Sequence, residues 1–490
     1  MGFSLADHEL KVKHSLGDGK AESTMYEADL EEAMDHAGTG KYQVLHCTLM
    51  MMTIVAAVLE MIGVAFILPA AQCDLDVPDN LKGILTSLPS IGVVVTAPFW
   101  GYASDSLGRK LILLGSLAVS GLMGFISSFM PNLLGFALCK LACSLFLSCP
   151  SSLGYAYTSE MLPRNRRDLG ILITNALVTL STIFTPALAW LILSGEWRYD
   201  WGVIIFQPWR LLTAVYSLLL LITAVLMFFV DESPKLLMTS GKMTEALNVV
   251  KRIYNVNTGK SPDSFCVKVL RKTDDAEAED ESSWALLRPP HLKWFALTGF
   301  LMFTVFALIN GLFLFAPDTI NKAITSPSAD GTVCELIKHT MNATSSVCVD
   351  DISFDTFYIM VVTTAVYGVL IIIASVLPLA KKTLLMPVFF IVGVGCLVAG
   401  LSTNMMVAAV AMSSLQLTAL GVGPLTAYAV HLFPTKLRGS SVGGVLMFGR
   451  IGSVLGSNAA GLSLNAACMA TFYAFSALLF VCAGLSLLLP

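Results

Sequence analysis

Four polar side chains sit inside long apolar runs of the chain: Glu60, Lys140, Asn310 and Arg450. A charge at mid-bilayer costs about 2.5–3.5 kcal/mol on insertion scales, so it is normally paired or turned to an internal cavity. Glu60 falls near the middle of its run. A carboxylate there can bind a cationic solute, hold a transferable proton, or pair with a cation on another helix. Lys140 has Glu60, a solute anion or the headgroup region, reached by snorkelling, as its candidate partners. Arg450 is flanked by Gly449, Gly452, Ser453 and Gly456, small residues that let another helix approach closely. Its guanidinium can clamp an anionic group or neutralise Glu60. Asn310, like Asn175, can touch a solute or hydrogen-bond one helix to the next.

A second constellation lies outside the apolar runs. In GYASDSLGRK, Gly101, Asp105, Gly108, Arg109 and Lys110 form a charged turn between two of them. Gly108 can take the left-handed conformation that side chains resist. Asp105 is placed to meet backbone N–H groups or an arginine. Arg109 and Lys110 suit an anionic leaflet. Glu160 with Arg166 and Arg167, and His431 with Arg438, form two further polar turns. No Walker A sequence, H-E-x-x-H or convincing nucleophile elbow is present. Asn257 to Ser261 ends like a phosphate loop but lacks the upstream glycine spacing and the preceding strand. The expectation is therefore no enzyme, no cofactor, no metal and no nucleic-acid partner.

The elements that must position these groups are membrane helices. The chain has 490 residues, 55% hydrophobic and only 13% charged, with mean hydropathy +0.74. Soluble proteins carry about 25% charge, and a helix needs roughly 20 apolar residues to span the hydrocarbon. The runs are too long and unalternated for a β-barrel. Twelve spans are predicted, over 44–71, 81–100, 111–130, 133–155, 171–193, 211–230, 292–316, 357–379, 385–401, 406–433, 442–459 and 471–489. The domains read as a disordered tail (1–43), a six-helix bundle (44–230), a polar linker (231–291) with a short amphipathic helix over 242–254, and a second six-helix bundle (292–490). The loop 317–355 lies within the second bundle.

Lys and Arg in the alternate hairpins place both termini, the GYASDSLGRK turn and the linker in the cytoplasm. The sequon at Asn342 then falls in an extracytoplasmic loop, as glycosylation requires. Cys334 and Cys348 share that loop, where a disulfide and two free thiols are equally compatible; Cys73 is the third cysteine on that side.

The G-x-x-x-D-x-x-G-R-K turn, twelve spans and a long central insert resemble the major facilitator superfamily. Asp231-Glu-Ser-Pro-Lys235 resembles the sugar and organic-ion porters. The segment Ile253 to Ser261, Glu60 and the RIGS run at 450–453 resemble the synaptic vesicle glycoprotein two relatives. The turn departs from the family at Ser106, and its second copy is reduced to Lys381-Lys382. The resemblance implies an all-α fold of two pseudo-symmetric six-helix bundles, a central cavity and alternating access. It implies a monomeric secondary transporter of a small organic solute, an organic ion or a sugar-like molecule. Glu60 would be the proton or cation site, Lys140 and Arg450 the counter-charges. Asp105 and Arg109, with Glu160 and Arg167, would form a gating latch. The rival reading is a non-transporting vesicle or trafficking protein. Plasma and vesicle membranes are both open.

Overall fold

The computed structural model describes residues 27–195, 197–202, 204–271, 283–325, 331–343, 351–376, 381–434 and 437–490. Eleven of its helices are long and apolar enough to cross a membrane. In the first half these are α2 (Lys41–Ala70), α3 (Asp79–Leu107), α4 (Arg109–Ser127), α5 (Leu133–Glu160), the pair α6 (Arg164–Ser181) and α7 (Phe184–Leu193), and α8 (Pro208–Met227). In the second half, α11 (His291–Ile309) continues through a 3-10 turn into α12 (Ala316–Ile324), so the seventh span reaches past the expected start of the 317–355 loop. That loop itself forms α13 (Val333–Ala343). Then come α14 (Phe354–Val376), α15 (Lys381–Leu401), and α16 (Met405–Ser413) joined by a 3-10 stretch to α17 (Val422–His431).

The last two expected spans are two helices joined at a kink within 438–486, together labelled α18 (Arg438–Ser486); at the kink Ala467 takes a φ of -148° and a ψ of 58°, outside the helical region. Its first part, rich in glycine and serine, is the span that the count of eleven leaves out. Twelve crossings result, as expected.

Local chemistry sets several boundaries. Asn132 caps α5 by accepting from the Gly135 N–H at 2.8 Å. Ser233 caps α9 (Pro234–Thr239) in the same way. Proline opens α8 and α9, where its missing N–H costs nothing.

The expected disordered tail is corrected from residue 27 onward. Strand β1 (Glu27–Ala28) pairs in parallel with Val269–Leu270, and α1 (Leu30–Ala37) is capped by Asp29. Ala33, Met34 and Ala37 pack into one apolar cluster with Leu247, Val250 and Ile253 of α10 (Met243–Thr258). Asn257 ties the two together, donating to the carbonyl of Gly38 at 2.9 Å and accepting from the Tyr42 N–H at 3.1 Å. Residues 1–26 lie outside the described residues.

The disulfide expectation is also corrected. Cys334 bonds Cys468, with Cα atoms 5.5 Å apart, and so staples α13 to α18 rather than closing its own loop. Cys73 is disulfide-bonded as well. Cys348 and the side chain of Asn342 lie outside the described residues.

Candidate functional site

Glu60 and Lys140 form a buried ion pair where α2, α4, α5 and α8 meet inside the first bundle. They are 4% and 8% exposed. Ser217 donates to the other carboxylate oxygen at 3.2 Å, and the Cys143 thiol approaches at 3.8 Å. Gly124 of α4 makes room: a Cβ there would lie 3.2 Å from Glu60 Oε1 and 2.4 Å from Ser217 Oγ. The void beside the pair is about 10 Å³, at the lower limit for one water. The carboxylate is therefore neutralised in a dry, close-packed setting within one half.

A cavity of about 170 Å³ lies between the halves. From α2 it is lined by Ile62, Ala65 and Phe66, the i, i+3, i+4 pattern of one helix face. Glu60 precedes Ile62 by two residues, about 200° around the helix, and so points away. Of the four in-span candidates, Glu60, Lys140, Asn310 and Arg450, none lines this cavity. The cavity's polar groups are Thr179, Thr182, Thr185, Thr364 and Gln416, and nothing in sequence spacing singles these out among many span threonines. A larger groove of about 600 Å³ lies at one end of the molecule, between the segment 193–209 and residues 351–357.

Asn310 donates to Ser453 Oγ at 3.1 Å and binds α11 to α18. Glycines make that packing tight: a Cβ on Gly452 would meet the Phe303 carbonyl at 2.2 Å, and one on Gly456 the Ala307 carbonyl at 2.6 Å. Arg450 lies over the Phe306 ring at 5.3 Å, a cation–π contact. It does not reach Glu60.

Contacts between the halves gather at one end, the end of the Cys334–Cys468 bond. Gly83 of α3 meets α18, where its Cβ would lie 3.0 Å from Asn458 Cα, and a Cβ on Gly461 would lie 2.6 Å from Gly83 Cα. Asn458 donates to Ser87 Oγ at 3.1 Å. Lys82, buried on α3, lies 3.9 Å from Asp318 of α12, which Lys322 also pairs at 2.9 Å. Toward its other end, Val95, Phe99 and Tyr102 of α3 are exposed.

At the opposite end, Gly108 takes φ +119° between α3 and α4, as its type suggested. Arg109 pairs with Asp105 and donates to Glu160 at 3.2 Å and to Ser104 Oγ at 2.9 Å. Glu232, which spacing did not single out although the Asp231-Glu-Ser-Pro run contained it, closes the cluster. Its carboxylate accepts from the backbone N–H of Arg109 at 3.0 Å and of Lys110 at 3.1 Å, capping α4 where the helix dipole favours an anion. Lys110 donates to the Phe228 carbonyl at 3.0 Å.

Arg167 pairs not with Glu160 but with Glu31 of α1 at 3.0 Å, a partner hidden in the expected tail. Arg166 is exposed beside a groove between α2 and α6. Asp231 accepts from Tyr42 Oη at 2.9 Å and from Arg252 at 2.7 Å. These bonds join the first bundle to the linker and α1. His431 is exposed at the end of α17, and the Arg438 side chain lies outside the described residues.

Comparison with known proteins agrees with this architecture. The family model of the Major Facilitator Superfamily matches residues 48–322. Synaptic vesicle glycoprotein 2C of Rattus norvegicus is 31% identical over 229 residues, 46% of this chain and 32% of that protein. Synaptic vesicle glycoprotein 2B of Homo sapiens is 29% identical over 232 residues, 46% and 34% of the two chains. The match thus spans about a third of the length of these relatives. Among solved structures, the xylose transporter XylE from E. coli in a partially occluded inward-open conformation superposes with a TM-score of 0.64 at 14% identity, covering 90% of this chain and 98% of that one. A D-xylose–proton symporter gives 0.65 at 14% identity, covering 91% and 97%.

Proposed function

The chain belongs to the Major Facilitator Superfamily, and on that premise we propose that it is a secondary active transporter, moving a small organic solute by alternating access. The observation that carries this reading is the seam between the halves. They meet through Gly83, Ser87, Asn458 and Gly461 at one end and hold a cavity between them. Rocking about such a seam is how two repeats expose one site to each side in turn. The Arg109 end is then the cytoplasmic one, in keeping with its loop cations. A vesicle membrane fits the names of the curated relatives. The likeness to a D-xylose–proton symporter makes a proton gradient the first driving force to apply. The Glu60–Lys140 pair serves here as an internal strut of the first bundle.

The test is uptake into proteoliposomes across a panel of organic solutes, with and without a pH gradient. Ser87→Cys with Asn458→Cys, in a background lacking the free cysteines, cross-links the seam on oxidation. Saturable uptake that stops on cross-linking and returns on reduction is the expected result. Uptake indifferent to the cross-link would refute alternating access here. No uptake of any solute would favour a non-transporting vesicle protein.

A further inference from the structure

We propose that the cavity between the halves takes a neutral, compact, mostly apolar solute with one or two hydrogen-bonding groups, and takes neither an organic ion nor a sugar. This rests on the transporter reading and names its solute class. Eighteen residues line the cavity; five are polar and none is charged. Its volume, about 170 Å³, is close to that of an engineered apolar cavity of about 150 Å³ that holds benzene.

Most of the polar lining is already engaged. Thr179 donates to the Asn175 carbonyl at 2.9 Å and Thr182 to the Thr179 carbonyl at 2.7 Å. Gln416 Nε2 donates to Thr364 Oγ1 at 3.2 Å. Thr185 Oγ1, on a residue only 1% exposed, has no hydrogen-bond partner. What remains for a solute is the accepting lone pairs of Thr179 and Thr182 and the other side-chain amide groups of Gln416, enough for one or two polar groups. A sugar carries more hydroxyls than these few groups can pair, so several would be buried unpaired against Ile62, Phe66, Phe313 and Met360, and each such group costs affinity.

An ion fares worse, because no counter-charge faces the cavity. Glu60 points to the other side of α2 and is held by Lys140. Asp318, next to the lining Pro317, is held by Lys322 and Lys82. Arg450 lies against Phe306, outside the lining.

Fluorine NMR line broadening in nanodiscs tests this with four probes: 4-fluorobenzyl alcohol, 4-fluorobenzylammonium, 4-fluorobenzoate and a fluorinated hexose. Two variants fill the cavity. Gly368→Leu is one, because a Cβ there meets only the Thr179 carbonyl at 3.9 Å. Ala419→Leu is the other, and unchanged unfolding midpoints certify both. The expected result is broadening of the alcohol alone beyond empty nanodiscs, reduced about tenfold, 1.4 kcal/mol, in each variant. Broadening of the cation, the anion or the hexose that these variants abolish would overturn the proposal, as would the absence of any variant-sensitive broadening of the alcohol. Uptake separates the two readings. Binding of the alcohol without uptake leaves the site standing and sinks transport. Uptake of a charged solute that Gly368→Leu blocks does the reverse.

Discussion

Glu60 and Lys140 neutralise each other where neither reaches water, and that sets what each is worth. Removing one partner leaves a buried charge uncompensated, at about 3–5 kcal/mol. Replacing both with apolar groups of similar size removes the problem with the pair. Glu60→Gln is therefore expected to lower the thermal midpoint sharply, and Glu60→Leu with Lys140→Met to recover most of the loss, read by unfolding in detergent. A pH response of uptake that survives in the double variant would confirm that the pair does not carry the coupling proton. Both residues were legible as charges in apolar runs, and Glu60 stood among the candidate partners of Lys140. Which neighbours the Glu60 face of α2 would meet was not legible, because that depends on α5, which brings Lys140, and α8 arriving from far along the chain. Gly108 was readable for a different reason: its turn demands a positive φ whatever surrounds it. Gly108→Ala is expected to destabilise twice over, through φ +119° and through a Cβ only 2.7 Å from Glu232 Oε2. Glu232→Ala strips the cap from α4 and is expected to cost about 1 kcal/mol in thermal or denaturant unfolding.

At the scale of elements, the twelve crossings were plain from hydropathy alone, and α10 from its 3.6-residue periodicity. Helix α1 was not. It is eight residues long with three acidic ones, and a helix that short is marginal in water by itself. It exists because α10 offers an apolar face and Asn257 fastens the chain at Gly38, contacts that join residues more than 200 apart. Asn257→Ala should therefore raise amide hydrogen exchange across 30–37 by about tenfold or more, the equivalent of a lost buried hydrogen bond or two, while exchange in α5 stays unchanged. Equal protection in the variant would mean that the apolar contact alone holds α1. The break at Ala467, by contrast, was legible, since it falls between the spans expected over 442–459 and 471–489. Two apolar segments separated by small residues look like two helices in sequence, and the backbone leaves the helical region between them at Ala467.

For the whole molecule, the two halves rest on a seam of small residues, and that seam is what alternating access must open. Gly83 and Gly461 bring α3 and α18 into backbone contact, with Ser87–Asn458 and Lys82–Asp318 beside them. A side chain at Gly461 has no room: its Cβ already falls 2.6 Å from Gly83 Cα, and backbone cannot yield as a flexible side chain would. Gly461→Leu should therefore wedge the seam, penalising the state in which it is closed while leaving the open state untouched. A penalty of a few kcal/mol is enough to invert a two-state population. Spin labels at Leu81 and Leu455, both on exposed positions, report the separation of α3 from α18 as a distance distribution. The wild-type chain should give one dominant short distance, and Gly461→Leu a major population at longer separation. Gly461→Ala, with only a methyl to place, should fall between. An unchanged distribution in Gly461→Leu would mean that the halves part elsewhere, and the cavity would then have to open by a route other than this seam.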